Sequence, residues 1–231
     1  MRRVFVVFVA FLVVGCLFQQ SAAQSIAKKS ESVAVVSAIN SNWARSRLSE
    51  TTISTIAEAF YTAAAQHGLA LELLLAIAVN ESDFNPTAIR TYAIRTDGTA
   101  AADVGLMGIR CRVRGAVRPW KSCLNVQGET VRSLQDPVRS INVGAQMIAR
   151  LRTTCTHTGH PWYAHYNWGT RVFKTGMPAG YPRRVAHLAT SIAMFLGRPQ
   201  DPQLIGVSTH VRYNLERYQT FRSRMLRAVR L

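Results

Sequence analysis

The sequence predicts a mainly α-helical domain that carries a small irregular or β-ribbon insert. Apolar residues recur at helical spacing from Ile53, an almost wholly apolar stretch runs from Leu71 to Glu81, and two later amphipathic segments begin near Pro137 and Pro182. Between the second and third helices, Ile109, Cys111 and Val113 alternate with three arginines, which is typical of a short strand with a basic outer face. With 231 residues, 48% of them hydrophobic, the chain suits one well-packed core.

The first two helices are expected to follow each other closely. Gly68 is well placed to end the first helix, because glycine readily adopts the left-handed conformation of a C-terminal cap. The stretch from Leu71 to Glu81 is too apolar for a surface helix and too short for a membrane span, so it is predicted to be the central buried helix. Asn85-Pro86 is predicted to end it.

The third and fourth helices each begin at a proline. Asp136 and Pro137 form an N-cap and first-turn pair. The predicted core face of the third helix consists of Val138, Ile141, Ala145, Ile148 and Leu151. The predicted core face of the fourth helix consists of Val185, Leu188, Ala189, Ile192 and Phe195. Gly197 and Pro199 are predicted to end this helix.

The N-terminus has the features of an export signal. Arg2 and Arg3 precede an apolar run over residues 4–14, and small residues 21–23 suit cleavage before Gln24. Even residues 4–18 are only 15 in number, fewer than the roughly 18 to 20 that span a bilayer. We predict export to the periplasm or cell envelope. Secretion, or a lipid anchor at Cys16, are the alternatives.

The charge of the chain favours an anionic partner. The formal net charge is +16, and removal of residues 1–23 takes away two arginines and no acid, which leaves 16 minus 2, or +14. Cell wall, anionic lipid and nucleic acid all fit this charge. Because an exported protein rarely meets nucleic acid, we expect no nucleic-acid partner.

The cysteines allow one disulfide in an oxidising compartment. Apart from Cys16 there are three, Cys111, Cys123 and Cys155, so one is left over. We favour the pairing of Cys111 with Cys123. The alternative is that all three are buried small hydrophobic residues.

The predicted boundaries follow from these patterns. Residues 1–23 are the signal peptide, and residues 24–50, which are small and polar, form a linker or an N-terminal helix. Residues 51–197 form the main domain. Residues 198–231 form a basic C-terminal helix or tail, whose apolar positions fall near helical spacing among arginines.

Glu81 is the first candidate for chemistry. It shares a helix face with Leu74, Ile77 and Ala78 near the C-terminal end of the most apolar helix. Burial and the negative end of the helix dipole both disfavour the charged form and should raise the pKa of Glu81. A carboxyl group still protonated near neutral pH can donate its proton to a glycosidic oxygen. The alternative is that Glu81 faces water on the last turn.

The residues around Glu81 resemble a known family. Glu81-Ser82-Asp83-Phe84-Asn85-Pro86-Thr87-Ala88, followed by Gly105-Leu106-Met107-Gly108-Ile109, closely resembles the first two motifs of the lytic transglycosylases related to goose-type lysozyme. Further similar segments follow in the same order: Asp136-Pro137 with Ile141 and Gly144, Ala164-His165-Tyr166-Asn167-Trp168-Gly169, and Tyr181-Pro182-Arg183-Arg184-Val185.

The resemblance implies a lysozyme-like transglycosylase domain that binds alternating N-acetylmuramic acid and N-acetylglucosamine. It makes Glu81 the single catalytic acid and then the base, with the muramyl 6-hydroxyl attacking in place of water to leave a 1,6-anhydro end. No cofactor is required. One carboxylate then suffices, whereas most hydrolytic glycosidases need two.

The resemblance also implies substrate-binding residues. Ser82, Met107, Asn167 and Tyr181 match positions that line the family's groove, and we add Tyr166 as a candidate for sugar stacking. Each has a simpler interpretation. Ser82 could cap a helix end, Met107 could be core, Asn167 could be a turn residue and Tyr181 could position the fourth helix.

Two features depart from the family pattern. The family usually has Gln where this chain has Gly108, so altered activity or an inactive peptidoglycan-binding protein is an alternative. The stretch 110–127 looks like an insert at one rim of the groove.

Three rival interpretations remain open. A goose-type-like lysozyme would need a second carboxylate to hold water, and Asp103 is a better candidate than Asp97, because Asp97-Gly98 is an ordinary turn pair. A metal site would use Cys155, His157, His160 and His165, although their spacing is irregular, and we predict none. A non-enzymatic binder would use the tail, which is also the candidate contact with anionic membrane.

The expected partner is therefore the glycan strand of peptidoglycan. A small exported enzyme of this kind is compatible with wall opening for a secretion or conjugation apparatus, with wall turnover and with attack on a competitor.

Overall fold

The helices surround one buried helix, and a small sheet lies at one side. The computed structural model describes residues 30–42, 44, 47–155, 161–168 and 180–199, without the side chain of residue 168. Helix α1 covers residues 30–42, α2 Glu50–His67, α3 Leu71–Ser82, α4 Pro137–Cys155, the short α5 His165–Trp168, and α6 Gly180–Phe195. Short 3-10 turns occur at Ser133–Gln135 and Trp162–Ala164. The predicted mainly helical class is confirmed.

The ends of α2 and α3 follow from their sequences. Ser49 caps α2 by accepting a hydrogen bond from the Thr52 amide at 3.2 Å, and Gly68 ends it in the left-handed conformation, with φ of 59°. Helix α3 ends at Ser82, three residues before the predicted Asn85-Pro86 stop. Asp83 and Phe84 leave it with positive φ angles of 52° and 57°.

Helix α3 is the centre of the core. It packs against α6 on one side and α2 on another, while α2 also packs against α4. Leu74, Leu75 and Ile77 are completely buried. Each such side chain contributes about 1.5–3 kcal/mol through removal of apolar surface from water. The helix that carries Glu81 is therefore held rigidly from several directions.

The sheet has three antiparallel strands in sequence order. Strand β1 covers Ile89–Thr91, β2 Thr99–Val104 and β3 Ile109–Arg114. The alternation predicted for β3 is confirmed, because Ile109, Cys111 and Val113 are buried and the three arginines between them face outward. The other two strands were not predicted.

A disulfide ties the sheet to the segment after it. Cys111 on β3 is bonded to Cys123, with their Cα atoms 5.0 Å apart, and Cys155 is buried and takes no part in this disulfide. The main chain reinforces this link, since the Leu124 amide donates to the Arg112 carbonyl at 2.7 Å. The disulfide joins the pair favoured from the sequence.

The segment before α2 is more than a loose linker. In α1, Val35, Val36 and Ile39 are completely buried in the core. Arg198 donates hydrogen bonds to Glu31 at 3.0 Å and to Glu72 at 3.5 Å, so residue 198 also packs on the domain. Residues 30–42 thus form a helix whose three apolar side chains lie among polar ones on a single face.

Several sequence predictions lie outside the described residues. They are the signal peptide over residues 1–23, the lipid-anchor alternative at Cys16, and the tail beyond residue 199. Within the described part of the chain, no helix is both long enough and apolar enough to cross a membrane.

Candidate active site

Glu81 lies in the last turn of α3, where the buried helix reaches the surface. The residues that share its face are completely buried: Leu74, Ile77 and Ala78. Glu81 itself is partly exposed. The helix therefore presents one carboxyl group at the end of an apolar surface, as its periodicity predicts.

The surroundings of Glu81 favour its protonated form. The pKa of Glu81 is raised from 4.5 to about 6, and loss of hydration is the largest cause. Contacts with Tyr181 and Asn167 act against this shift, the negative charge of Asp103 adds to it, and the positive charge of Arg90 opposes it. The result is a carboxyl group that holds a proton in mildly acidic solution and can release it near neutral pH, which suits an acid that becomes a base.

Asn167 faces the Glu81 carboxyl group directly. It is exposed on α5, and its side-chain Nδ2 donates to both carboxyl oxygens of Glu81, at 3.3 and 3.4 Å. These contacts favour the charged carboxylate. Asn167 is thus placed to hold Glu81 in one orientation, particularly after the proton has left.

Two tyrosines, Tyr166 and Tyr181, interact electrostatically with the carboxyl group of Glu81. The Tyr166 hydroxyl donates to the Met107 carbonyl oxygen at 2.8 Å. The Tyr181 hydroxyl is buried without a well-aligned hydrogen bond to another described residue, yet Tyr181 and Glu81 shift each other's pKa. Burial, followed by the charge of Glu81, raises the pKa of both phenols well above the usual 10, so both stay protonated.

A tight turn forms the floor beside Glu81. The Gly108 amide donates to the Gly105 carbonyl at 3.0 Å, and both glycines have positive φ, 61° and 74°. A Cβ atom at position 108 would lie 2.7 Å from the Cβ of Glu81, so this backbone has no room for a side chain there. Gly108, where the family usually has Gln, therefore lies in a turn that packs directly against Glu81.

Met107 supports this turn from inside the molecule. Its side chain is completely buried against Gly144 of α4, where a Cβ atom would approach Met107 to 2.8 Å. The Met107 amide donates to the buried Ser140 hydroxyl at 3.1 Å. The side chain of Met107, which was predicted to line the substrate groove, is therefore enclosed by the core.

Ser82 also faces inward. Its buried hydroxyl lies 2.8 Å from the Leu106 carbonyl oxygen and 3.0 Å from that of Ala78, and it accepts from the Asn85 amide at 3.2 Å. These contacts join the end of α3 to the turn beside Glu81. The hydroxyl of Ser82, which was predicted to bind substrate, is therefore occupied by contacts within the protein.

Asp103 lies near Glu81, and its carboxylate accepts three hydrogen bonds from neighbouring side chains. It is only 9% exposed. One of its oxygens accepts from Arg110 Nε, and the other accepts from the Tyr92 hydroxyl and, at 3.2 Å, from a terminal nitrogen of Arg110. The Arg110 guanidinium also lies over the Tyr92 ring, 4.4 Å from its centroid. We call these three residues the Asp103 cluster.

Asp97 has the role of a turn residue. It is exposed in the connection between β1 and β2, and its side chain accepts from the amide and hydroxyl of Thr99 at 2.9 and 2.6 Å. These hydrogen bonds lower the pKa of Asp97. Asp97 is therefore accounted for without a role near Glu81.

The residues of the alternative metal site are only partly described. Cys155 and His165 are buried, whereas His157 and His160 lie outside the described residues. Among the residues that the structure describes, no group of three or more potential ligands could hold a metal ion.

The site contains residues that the sequence did not single out. Arg90 and Tyr92 on the β1 side, and Arg110 on β3, gather around Asp103 because strand pairing sets Arg90 opposite Asp103 and Asp103 opposite Arg110. The alternation in β3 indicated that Arg110 faces outward, but no local pattern indicated its partner.

Comparison with known proteins gives one match. A family model described as the transglycosylase SLT domain matches residues 58–176, about half of the chain, from the middle of α2 past Asn167. No curated protein and no solved structure matches the chain.

Proposed function

Because the chain belongs to the transglycosylase SLT domain family, and so to the lytic transglycosylases of the lysozyme-like superfamily, we propose that Glu81 is its catalytic acid. The substrate bond is the β-1,4 link between N-acetylmuramic acid and N-acetylglucosamine. The observation that carries the proposal is the position of Glu81, whose pKa is raised to about 6 at the end of an apolar helix. Such a carboxyl group can first give and then take a proton.

The reaction needs one proton and no water. Glu81 gives its proton to the glycosidic oxygen as the bond from that oxygen to C1 of the muramyl residue breaks. The resulting carboxylate then takes the proton of the muramyl 6-hydroxyl, whose oxygen bonds to C1. One C–O bond is broken, one is formed, and Glu81 is protonated again beside a 1,6-anhydromuramyl end.

The Asp103 cluster supports this lyase outcome over hydrolysis. A hydrolase needs a second group to activate water or to attack C1. Both Asp103 oxygens already accept hydrogen bonds from Arg110 and Tyr92. Three of the roughly four acceptor positions of the carboxylate are thus occupied and Asp103 is only 9% exposed, so we assign it a structural and electrostatic role.

The residues around Glu81 fit roles in the two proton transfers. Asn167 donates to both carboxyl oxygens and so stabilises the charged form that exists between the two steps. The nearby Tyr181 also acts to lower the pKa of Glu81. Tyr166 positions the turn through the Met107 carbonyl. Of the predicted substrate ligands, the exposed Asn167 is the one that we retain.

The setting of the reaction follows from the substrate. Peptidoglycan lies outside the cytoplasm, which agrees with the predicted signal peptide. We propose that the protein acts in the periplasm or cell envelope, with a secretion or conjugation apparatus as a candidate partner. The basic tail remains the candidate membrane contact.

A release assay tests the role of Glu81. The purified protein, Glu81→Gln and the control Glu50→Gln are incubated with purified peptidoglycan, and soluble muropeptides are measured over time. Glu50 is an exposed carboxylate at the start of α2, so it controls for the loss of one negative charge. We expect Glu81→Gln alone to lose activity, by roughly 10²–10⁴-fold. Release at the unmodified rate by Glu81→Gln would overturn the assignment.

A further inference from the structure

The outward side of the sheet is strongly basic. Register partners point to the same side of a sheet, so Arg90, Asp103 and Arg110 share one face, and alternation adds Arg112 and Arg114. The opposite side of β3 is buried in the core. We call the surface formed by Arg90, Arg110, Arg112 and Arg114 the basic face.

The basic face begins beside Glu81 and leads away from it. Arg90 and Arg110 both interact electrostatically with Glu81. Arg112 and Arg114 follow along β3 at alternate positions, so their Cα atoms are spaced by roughly 6.6 Å, and Arg110 to Arg114 spans about 13 Å. A ligand held at Glu81 could therefore extend directly along this strand.

Half of the arginines of the basic face lack an acidic partner among the described residues. Asp103 engages Arg110, and Asp97 lies 3.4 Å from one nitrogen of the partly exposed Arg112. Arg90 and Arg114 are exposed, and neither forms an ion pair with an acidic side chain of the described residues. Beside Arg112 and Arg114, β2 contributes only the small residues Ala101 and Thr99. The Arg112 side chain is 40% exposed, although its Nε is buried, and Arg114 is exposed.

We propose that the basic face binds the free carboxylates of the peptide stem that the muramyl residue carries. The inference rests on the proposed function, because the muramyl residue must lie at Glu81 for its stem to emerge there. An extended stem of about four residues spans at most ~14 Å, which matches the length of the arginine row. Guanidinium groups bind carboxylates through charge-assisted, often bidentate, hydrogen bonds. The protein should therefore prefer strands that retain their peptides.

The test measures binding without cleavage. All variants are made in the Glu81→Gln background, and their affinities are measured at low ionic strength for glycan strands with peptide stems and for strands whose stems an amidase has removed. We expect the peptide-bearing strands to bind roughly three- to tenfold more tightly. A third ligand, peptide-bearing strands with carboxylates converted to amides, should bind like the stripped strands.

A matched pair of double variants assigns the preference to the basic face. Arg112→Gln with Arg114→Gln should remove the preference for peptide stems. Arg47→Gln with Arg150→Gln changes the net charge equally at exposed positions away from the sheet and should retain it. Equal affinity for the three ligands, or the same loss in both double variants, would overturn the proposal.

Two further results distinguish this proposal from a membrane contact and from the proposed function. If the first double variant weakened binding to vesicles of anionic lipid but left the stem preference unchanged, the face would be a membrane contact and the proposal would be wrong. Absence of cleavage by the protein with Glu81 intact would refute the proposed function alone, because the stem preference is measured with Glu81 already replaced.

Discussion

Gly108 lies so close to Glu81 that a side chain at position 108 would collide with that of Glu81. An added Cβ atom would lie only 2.7 Å from the Cβ of Glu81 and 3.2 Å from its Oε2. Gly108→Gln, which introduces the residue usual in the family, should therefore displace Glu81. We expect cleavage to fall by about tenfold or more, since small displacements of reacting groups are costly. Stability should fall by roughly 1–3 kcal/mol, measured by denaturant unfolding.

Gly128→Ala separates collision from backbone strain in this experiment. Gly128 has φ of +77°, but a Cβ atom added there would have no neighbour within 4 Å, so alanine at this position meets the strain alone. The variant should lose about 1 kcal/mol or somewhat more and keep full activity. Gly108→Gln with activity equal to that of Gly128→Ala would show that position 108 tolerates a side chain.

The raised pKa of Glu81 predicts a pH dependence of stability. The folded pKa is about 6 and the ordinary value is 4.5, so the folded state binds the proton more tightly. The contribution of this bound proton to the free energy of unfolding is fully present below pH 4.5 and is lost as the pH rises through about 6. At 1.36 kcal/mol per pKa unit, the loss is at most about 2 kcal/mol.

Glu81→Gln should therefore gain stability relative to the unmodified protein between pH 4 and pH 7, by up to about 2 kcal/mol. Denaturant unfolding at both pH values measures this gain, with Glu50→Gln as the control for removal of one carboxylate. A stability difference that is the same at both pH values would contradict the raised pKa.

Asp103→Asn tests whether cleavage uses a second carboxylate. The charge of Asp103 raises the pKa of Glu81, so its removal should lower that pKa. Since Glu81 must be protonated to begin the reaction, the alkaline limb of the pH–rate profile should move to lower pH, with cleavage retained at acidic pH. Asp97→Asn, at an exposed turn, should leave the limb in place. Loss of cleavage at every pH in Asp103→Asn would instead make Asp103 catalytic.

Ser82→Ala tests the inward role of the hydroxyl group. Its contacts with the Leu106 carbonyl and the Asn85 amide would be lost in a buried place, which should cost about 1–3 kcal/mol. Ser191→Ala is the matched control, because the hydroxyl of Ser191 donates to the His187 carbonyl within the same helix, and its loss should cost less. We expect Ser82→Ala to leave KM nearly unchanged. A large rise in KM with full stability would restore Ser82 as a substrate ligand.

The sequence predicted those parts of the fold that local patterns determine. The face of α4, the left-handed Gly68 and the alternation in β3 all depend on residues near one another in the chain. The interior of strand β2 consists of three consecutive alanines and Asp103, where β-branched or aromatic residues would mark a strand. It exists because β1 and β3 pair with it on both sides. Pairing between separate strands leaves no local trace.

The candidate site was predicted only in part, because local patterns do not show which distant residues come into contact. The motifs located Glu81 and Asn167, and the structure brings these two together across the chain. The motifs could not indicate that Ser82 and Met107 turn inward, because side-chain direction depends on the packing of α4 and the 105–108 turn. The Asp103 cluster likewise depends on strand register, which sets Asp103 opposite Arg110.

In the proposed reaction, Glu81 directs an internal attack without water. Mass spectrometry can test this on the muropeptides that the purified protein releases from peptidoglycan in water enriched in heavy oxygen. We expect 1,6-anhydromuramyl ends, which are lighter than reducing ends by one water and free of the heavy isotope. Reducing ends that each carry one heavy oxygen would contradict it and would establish hydrolysis.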